Sequence, residues 1–490
     1  MGQVTTSPAS RAASRWPWLV WLGLLAVVLM ARGQTLHDPV TGFDEQFYLL
    51  MGHQMLHGTL PYVDMWDRKP VGLFLLYAGA AGIGPYPFVQ YKLLAALFVS
   101  VTAIGIYTAA RRSASGFAAF VAACLYILWL NFMEGEGGQS PVFYNLPMLG
   151  AALLTWQALQ KRHFGQVLIR GVGAMALVGL ALQIKYTVLF EGLFFGCALL
   201  FRLWQMRVEP ARLMLAGILW IALALLPTAL AFGYYAAIGQ SEAFLFANIW
   251  SIMGRLPDPL SAQIKGLATG LGILLPLGIL AVLGWRRARA LDFFHVWTLV
   301  ALGGVLVFGS FLSPHYFIPV LVPLCISLAR WVDAPKNGQV VAVSLALLGL
   351  VGGQVALAII IRGKGGAREA AQVAAAAQPH HGGCIWVYDG YPALYMLTGS
   401  YVPTRWAFPG HLNAADENRR EAIGIAPTQE VRHILATRPE VIVDSAPAYR
   451  LGNQETRAIL YKTLAHDYKL AVSIQTGYNR YRLIYRLKDK

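Results

Sequence analysis

Two adjacent carboxylates, Asp44 and Glu45, follow closely after the first long apolar stretch of the chain. Phe43, Phe47 and Leu50 recur around them at helical spacing, which predicts that the pair lies on an ordered helix. A positioned carboxylate can take a proton from a hydroxyl group, which typically accelerates a reaction by about 10²–10⁴-fold. Asp44 and Glu45 are therefore the first candidates for catalysis.

Basic and aromatic side chains recur where predicted membrane spans meet the same side of the membrane, namely at Lys69, Lys185, Arg255, His315 and Tyr316. This is the depth of lipid phosphates, and fixed cations stabilise developing negative charge in a low-dielectric site. Two interpretations without a role in catalysis are also open for these residues. Lys185, in a tight hairpin between two apolar helices, is also typical of a snorkelling lysine. His315 and Tyr316 are also typical of an interfacial aromatic belt.

A second loop on the same side, "NFMEGEGGQSPVFYNLP" (131–147), carries further polar side chains. Glu134 and Glu136 flank one of its glycines, and Asn145 lies near its end. The glycines predict an irregular loop. These three residues are candidates for contacting an acceptor or for supplying a second carboxylate.

The sequence contains few residue patterns that would bind a metal ion or another cofactor. Asp64 and Asp67 have a spacing that could bind a divalent cation, so a metal is left open, but no cofactor is required by the sequence. No His/Cys cluster has zinc spacing. Neither a Walker loop nor a Gly-rich dinucleotide motif after a strand occurs, which argues against cytoplasmic nucleotide chemistry.

The composition predicts a polytopic membrane protein. The chain has 490 residues, of which 57% are hydrophobic and 13% charged, whereas soluble domains carry roughly 25% charged residues. The net charge of +15 arises from basic residues in short loops between apolar runs, which favours the positive-inside rule over nucleic-acid binding. We predict eleven spans, at about residues 16–32, 86–110, 114–132, 143–160, 165–183, 187–203, 211–237, 264–285, 293–312, 315–332 and 339–361.

The basic residues also predict the orientation. With eleven crossings and a cytoplasmic N-terminus, most of the basic residues that lie outside the spans and before residue 362 fall on inner loops. The first loop (33–85) is then extracytoplasmic, and its apolar segment 71–84 is too short to cross, so we expect a surface helix there. We predict a transmembrane catalytic domain over 1–361 and an extracytoplasmic α/β domain over 362–490. The latter carries the helical run "AREAAQVAAAA" and the β-type runs "CIWVYD", "VIVD" and "YRLIYRL".

The stretch "FDEQFYLLMGHQMLHGTLPYVDMWDRKPVGLFL" resembles the first-loop signature of the GT-C membrane glycosyltransferases. The most similar branch contains bacterial lipid A aminoarabinose transferases and protein O-mannosyltransferases. The matching positions are Asp44-Glu45, Tyr48, Gly58, Pro61-Tyr62 and Lys69-Pro70, with Val71 replacing a second proline. Further on, "IKYTVLF" resembles the family's interfacial lysine, and "HYFIPVLVPL" its late His/Tyr-Pro span.

The resemblance implies transfer of a sugar from a polyprenyl-phosphate carrier to an acceptor. The acceptor lies on the side of the membrane that faces away from the cytoplasm. It implies that Asp44 is catalytic and that Lys69 and other cations hold the donor phosphate. One departure matters. Members often carry a Glu at the start of the fourth span, where this chain has Tyr144-Asn145, so a second carboxylate would have to be Glu45, Glu134 or Glu136.

We therefore expect an inverting glycosyltransferase in the bacterial inner membrane, with an envelope glycolipid, glycan or protein as acceptor. Asp44 is the predicted base, and Glu45 orients the acceptor or Asp44. The predicted phosphate ligands are Lys69 and Lys185, assisted by Arg255 and His315. Candidate acceptor or second-loop contacts are Tyr62, Asp67, Glu134, Glu136, Asn145 and Tyr316. The alternatives are a GT-C ligase or polymerase of lipid-linked oligosaccharides and, with less support, a sugar-lipid transporter. A transporter would need a polar pathway through the membrane, and the predicted spans contain few ionisable residues.

Overall fold

A computed structural model describes residues 17–288, 292–309, 311–334, 337–380 and 382–488. The start of the first predicted span, at residue 16, lies outside these ranges. Among the residues that the structure describes, those up to residue 377 are predominantly helical and all strands lie beyond that point. The described residues up to 364 contain fifteen α-helices: α1 (Pro17–Arg32), α2 (Phe43–Met55), α3 (Val71–Gly82), α4 (Pro87–Ala110), α5 (Gly116–Trp129), α6 (Ser140–Ala158), α7 (Phe164–Leu182), α8 (Leu189–Gln205), α9 (Pro210–Ala237), α10 (Ser241–Leu245), α11 (Ser251–Met253), α12 (Leu260–Ala288), α13 (Phe293–Phe308), α14 (Ile318–Val332) and α15 (Gly338–Lys364).

Eight helices in the described part of the chain are long and apolar enough to cross a membrane: α1, α4, α7, α8, α9, α12, α14 and α15. The predicted spans at 114–132 and 293–312 form the shorter apolar helices α5 and α13, and the span at 143–160 forms α6. Helix α14 is almost wholly buried, whereas α9 and α15 leave most of their apolar surface exposed. Apolar surface of this extent is what lipid would cover, and the chain is a multi-pass helical membrane protein.

The first loop contains two packed helices, α2 and α3. Helix α3 has 12 residues, which confirms that the segment predicted over 71–84 is too short to span. The helices approach closely because Gly52 of α2 has no side chain. A Cβ atom there would lie 2.5 Å from the backbone nitrogen of Ala78 and 2.6 Å from the backbone carbonyl carbon of Tyr77. This contact fixes the direction of α2, which begins with the two candidate carboxylates.

A small α/β unit follows α15, and we call residues 365–488 the C-terminal unit. Its helices are α16 (Ala367–Ala377), α17 (Leu394–Leu397), α18 (Pro409–Asn413), α19 (Arg420–Ile423), α20 (Pro427–Ala436) and α21 (Gln454–Asp467). Its strands are β1 (Ile385–Val387), β2 (Val441–Ala446), β3 (Tyr468–Gly477) and β4 (Arg480–Leu487), in the order β1-β2-β4-β3. The β1–β2 pair is parallel and the other pairs are antiparallel. The predicted helix and three predicted strands are confirmed, while β3 was not predicted.

Candidate active site

A cavity of about 640 Å³ lies where the first and second loops face the C-terminal unit. Half of the predicted site residues line it, namely Asp44, Glu134, Glu136, Arg255, His315 and Tyr316. They come from α2, the second loop, the segment after α11 and the 3₁₀ turn Pro314–Phe317 that precedes α14. The fold thus gathers carboxylates and cations from distant parts of the sequence around one space.

The two adjacent carboxylates face different surroundings. Asp44 is half-buried, lines the cavity and accepts a hydrogen bond of 3.5 Å from Nε2 of Gln139. Glu45 is only 1% exposed, and a Cβ atom on Gly137 would lie 2.0 Å from one of its oxygens. Burial raises the pKa of Glu45, although the charges of Lys92 and Arg32 oppose the rise. Successive helical residues point about 100° apart, so the pair divides between cavity and interior.

Two buried cations near Glu45 tie the loops to the membrane helices. Lys92 of α4 donates hydrogen bonds to the backbone carbonyls of Thr35 and Asp38 in the first loop. Arg32, at the end of α1, donates to the carbonyls of Gly135, at 2.6 Å, and of Gly137 in the second loop. Neither residue was predicted from the sequence as part of the site. The signal for Lys92 was a lysine inside a predicted span, which is costly and therefore informative.

Lys185 is buried between α7 and α8, and its Nζ lies 4.1 Å from the ring centre of Tyr316. It has no ion-pair partner among the described residues. Burial lowers the pKa of Lys185 to about 7, and repulsion from Lys69 contributes, while Asp44 acts in the opposite direction. Lys69 itself lies with Nζ 4.0 Å from Oδ1 of Asp67. Lys69 and Asp44 are thus both close enough to influence Lys185.

The second loop brings two carboxylates to the cavity. Oε2 of Glu134 lies 3.2 Å from Nδ1 of His315 at the start of the α14 segment. Burial raises the pKa of Glu136 to about 7, and the charge of Glu45 adds to the rise. Lys364, at the end of α15, lines the same cavity and acts electrostatically on both loop carboxylates. Glu136 is therefore poised to exchange a proton near neutral pH.

Tyr62, Asp67 and Asn145, which were also predicted, do not line the cavity. The Tyr62 hydroxyl donates to the backbone oxygen of Lys69 at 2.8 Å. Oδ1 of Asp67 accepts from the backbone nitrogen of Lys69 at 2.9 Å, and its Oδ2 lies 3.7 Å from Nε2 of His411. Asn145 donates to the Tyr126 hydroxyl at 3.4 Å. The contacts of Tyr62 and Asp67 shape the turn that presents Lys69.

The described residues contain no group of three His, Cys, Asp or Glu side chains placed to hold a metal ion. Oδ2 of Asp64 instead accepts from the backbone nitrogen of Leu60 at 2.7 Å, whereas Asp67 interacts with Lys69 and His411. The spacing of the two aspartates is thus used to shape the loop.

The C-terminal unit supplies cavity residues that the sequence analysis did not identify, including Asp389, Asp416, Glu417, Arg480 and Arg482. Arg255 does not stand free in the cavity, because it pairs with Asp416 and Glu417. No local pattern distinguishes these residues, since they reach the site only through the packing of the C-terminal unit against the loops.

Neither a protein-family model nor a curated protein matches the sequence. Two crystal structures of ArnT from Cupriavidus metallidurans are similar in fold. The complex with undecaprenyl phosphate has a TM-score of 0.61 and 16% identity, covering 96% of this chain and 98% of ArnT. The apo structure has a TM-score of 0.59 and 15% identity, covering 96% and 97%. The chain has the GT-C fold, which confirms the fold expected from the first-loop residues.

Proposed function

We propose that this GT-C chain is an inverting glycosyltransferase that moves a sugar from a polyprenyl-phosphate carrier to an envelope acceptor on the extracytoplasmic face. The observation that carries the proposal is the single cavity in which Asp44 faces Arg255, His315 and Tyr316, with Lys185 directly behind Tyr316. A proton acceptor and a set of phosphate-binding cations are what such a transfer needs.

Asp44 is the base in this proposal. Its carboxylate takes the proton of an acceptor hydroxyl while the oxygen attacks the anomeric carbon of the donor sugar. The bond between that carbon and the phosphate oxygen breaks, and polyprenyl phosphate leaves with the bonding electron pair. A single displacement without a carboxylate nucleophile inverts the anomeric configuration. Glu45, enclosed behind Asp44, acts as a positioning residue for α2 and the second loop.

The leaving phosphate gains negative charge, and fixed cations in a water-poor site stabilise it. Lys185 suits this role because it is buried and has no ion-pair partner among the described residues, so an arriving phosphate would supply its missing counter-charge. Lys69 adds a second positive charge, and His315 and Arg255 reach the cavity directly. ArnT was crystallised with undecaprenyl phosphate, which supports a lipid carrier of this class as donor.

The function is tested by mass spectrometry of envelope glycolipids, glycans and proteins from cells with and without this protein. The expected result is one class of molecule that gains a single sugar mass only when the protein is present. An added oligosaccharide would instead identify a ligase or polymerase. Unchanged envelope molecules, together with sugar-lipid movement across the membrane, would contradict the proposal and establish a transporter.

A further inference from the structure

Two arginines converge on neighbouring carboxylates of the C-terminal unit. Both terminal nitrogens of Arg68 contact the Glu417 carboxylate, and the Nη2–Oε2 distance is 2.6 Å. Arg255 pairs through Nη2 with Asp416, and its Nε lies 3.3 Å from Oε1 of Glu417. The first loop, the segment after α11 and the 3₁₀ turn Ala415–Glu417 therefore meet at one ionic cluster.

This cluster forms part of the wall of the candidate active site. Arg255, Asp416 and Glu417 line the same cavity as Asp44. The surroundings are strongly cationic: burial lowers the pKa of His411 well below its usual value, and the charges of Arg68, Lys69 and Arg255 lower it further. The carboxylates of Asp416 and Glu417 therefore offset positive charge in a region where a phosphate is expected.

The geometry of the cluster is that of an anion site. Arginine binds carboxylate and phosphate with the same planar fork of donors, so one anion can replace the other. A phosphate offers more oxygens than one carboxylate to two converging guanidinium groups. The Arg255–Asp416 pair is partly open to solvent, with the Arg255 side chain 34% exposed and the Asp416 side chain 17% exposed, whereas the Arg68 and Glu417 side chains are 12% and 5% exposed. Because removing one partner from a buried ion pair is costly, Glu417 can leave Arg68 only when another anion takes its place.

We infer that Arg68 and Arg255 form an anion-binding pair which Glu417 and Asp416 fill in the free protein, and that the phosphate of the lipid donor displaces these carboxylates. The inference rests on the proposed function. The contact is then self-inhibitory, because each donor molecule competes with a part of the chain itself. It also links donor binding to release of the segment 413–425, which carries both carboxylates.

Binding of undecaprenyl phosphate to the purified full-length protein in lipid nanodiscs tests the competition, with undecaprenol as the lipid lacking phosphate. Glu417→Gln and Asp416→Asn are expected to bind undecaprenyl phosphate at least about threefold more tightly than the unmodified protein, because a larger fraction of molecules has a free site. Glu440→Gln is the matched control, since Glu440 pairs with Arg486 at 3.0 Å in the same unit and does not line the cavity. Equal or weaker binding by both variants, each with an unchanged melting temperature, would overturn the inference.

Hydrogen–deuterium exchange of the unmodified protein provides a measurement that needs no substitution. Undecaprenyl phosphate is expected to increase exchange across 413–425, while undecaprenol leaves it unchanged. Bound undecaprenyl phosphate without faster exchange would refute displacement and leave the proposed function standing. No binding of undecaprenyl phosphate beyond that of undecaprenol, by any variant, would refute the donor class itself and the inference with it.

Discussion

Asp44 and Glu45 are neighbouring carboxylates on one helix, but they lie in different surroundings because successive helical residues point in different directions. Asp44 reaches the cavity, whereas Glu45 is enclosed by glycines and has buried cations nearby. Lys185 and Glu136 are likewise defined by burial, because it brings the pKa of both groups to about 7. The chemistry of the site therefore depends on enclosure as much as on residue type.

Lys185 yields a pH prediction. Its lowered pKa means that the free protein loses this positive charge as the pH rises through about 7, so donor affinity should fall above that pH. Lys185→Arg, whose guanidinium stays charged, should bind donor phosphate with a flatter pH dependence between about pH 7 and 9. Lys185→Gln should bind weakly throughout. Donor-binding titrations at several pH values provide the measurement.

Glu136, whose pKa is also about 7, is present in the unmodified protein and in both Lys185 variants. A difference in pH dependence among these three proteins is therefore assigned to position 185. An identical pH slope for Lys185→Arg and the unmodified protein would assign the titration elsewhere and favour the snorkelling interpretation of Lys185.

At the scale of elements, buried polar bonds fix the two loops. Lys92 links α4 to the first loop. Lys92→Met should destabilise the protein by about 3–5 kcal/mol, the usual result of removing one partner from a buried ionic network. Thermal unfolding of the detergent-solubilised protein measures this, with the exposed Lys469→Met as control. Equal melting temperatures for the two variants would contradict a structural role for Lys92.

The α2–α3 contact gives a second prediction at this scale. Gly52→Ala should lower both stability and transfer activity, since its Cβ would meet the α3 backbone at 2.5 Å. Gly79→Ala is a matched control on α3, where a Cβ meets nothing within 4 Å. That variant should be stabilised by about 0.4–1 kcal/mol through reduced freedom of the unfolded chain. A Gly52→Ala protein as stable as Gly79→Ala would contradict the close packing.

The sequence predicted the fold and the residues whose position follows from loop and span boundaries. Asp44 lies in the predicted first loop, Arg255 lies before one predicted span, and His315 and Tyr316 open another; all four line one cavity. Lys92 was missed because hydropathy averages over a span hide a single charge. Strand β3 was missed because most of its residues are exposed, which removes the apolar alternation that identifies a strand.

At the scale of the whole molecule, the cavity depends on docking of the C-terminal unit against the loops. Arg68 and Glu417 are 349 residues apart in sequence, and no local pattern encodes such a contact. For this reason Asp416 and Glu417, which pair with Arg255, could not be predicted from the sequence. The membrane helices could be predicted because each is encoded by a local apolar run. Residues of the C-terminal unit between Asp389 and Arg482 line the cavity. We therefore expect the unit to take part in substrate binding.

We predict that the first loop is extracytoplasmic and that the loop between α8 and α9 is cytoplasmic. After replacement of the exposed native Cys197 by Ser, Asp64→Cys in the first loop should react with a membrane-impermeant maleimide in intact cells. Arg207→Cys, between α8 and α9, should react only after the membrane is opened. Both positions are exposed, so accessibility to the reagent differs only through the side of the membrane. The reverse labelling pattern would place the cavity in the cytoplasm.

The turnover rate of Asp44→Asn with bound donor tests the central claim most directly. The asparagine keeps the shape of the side chain and cannot accept a proton, so transfer should fall by about 10²–10⁴-fold while undecaprenyl phosphate binding changes little. Asp64→Asn, which alters an aspartate of the same loop outside the cavity, should retain activity. Near-normal transfer by a well-folded Asp44→Asn protein would contradict the assignment of Asp44 as the base.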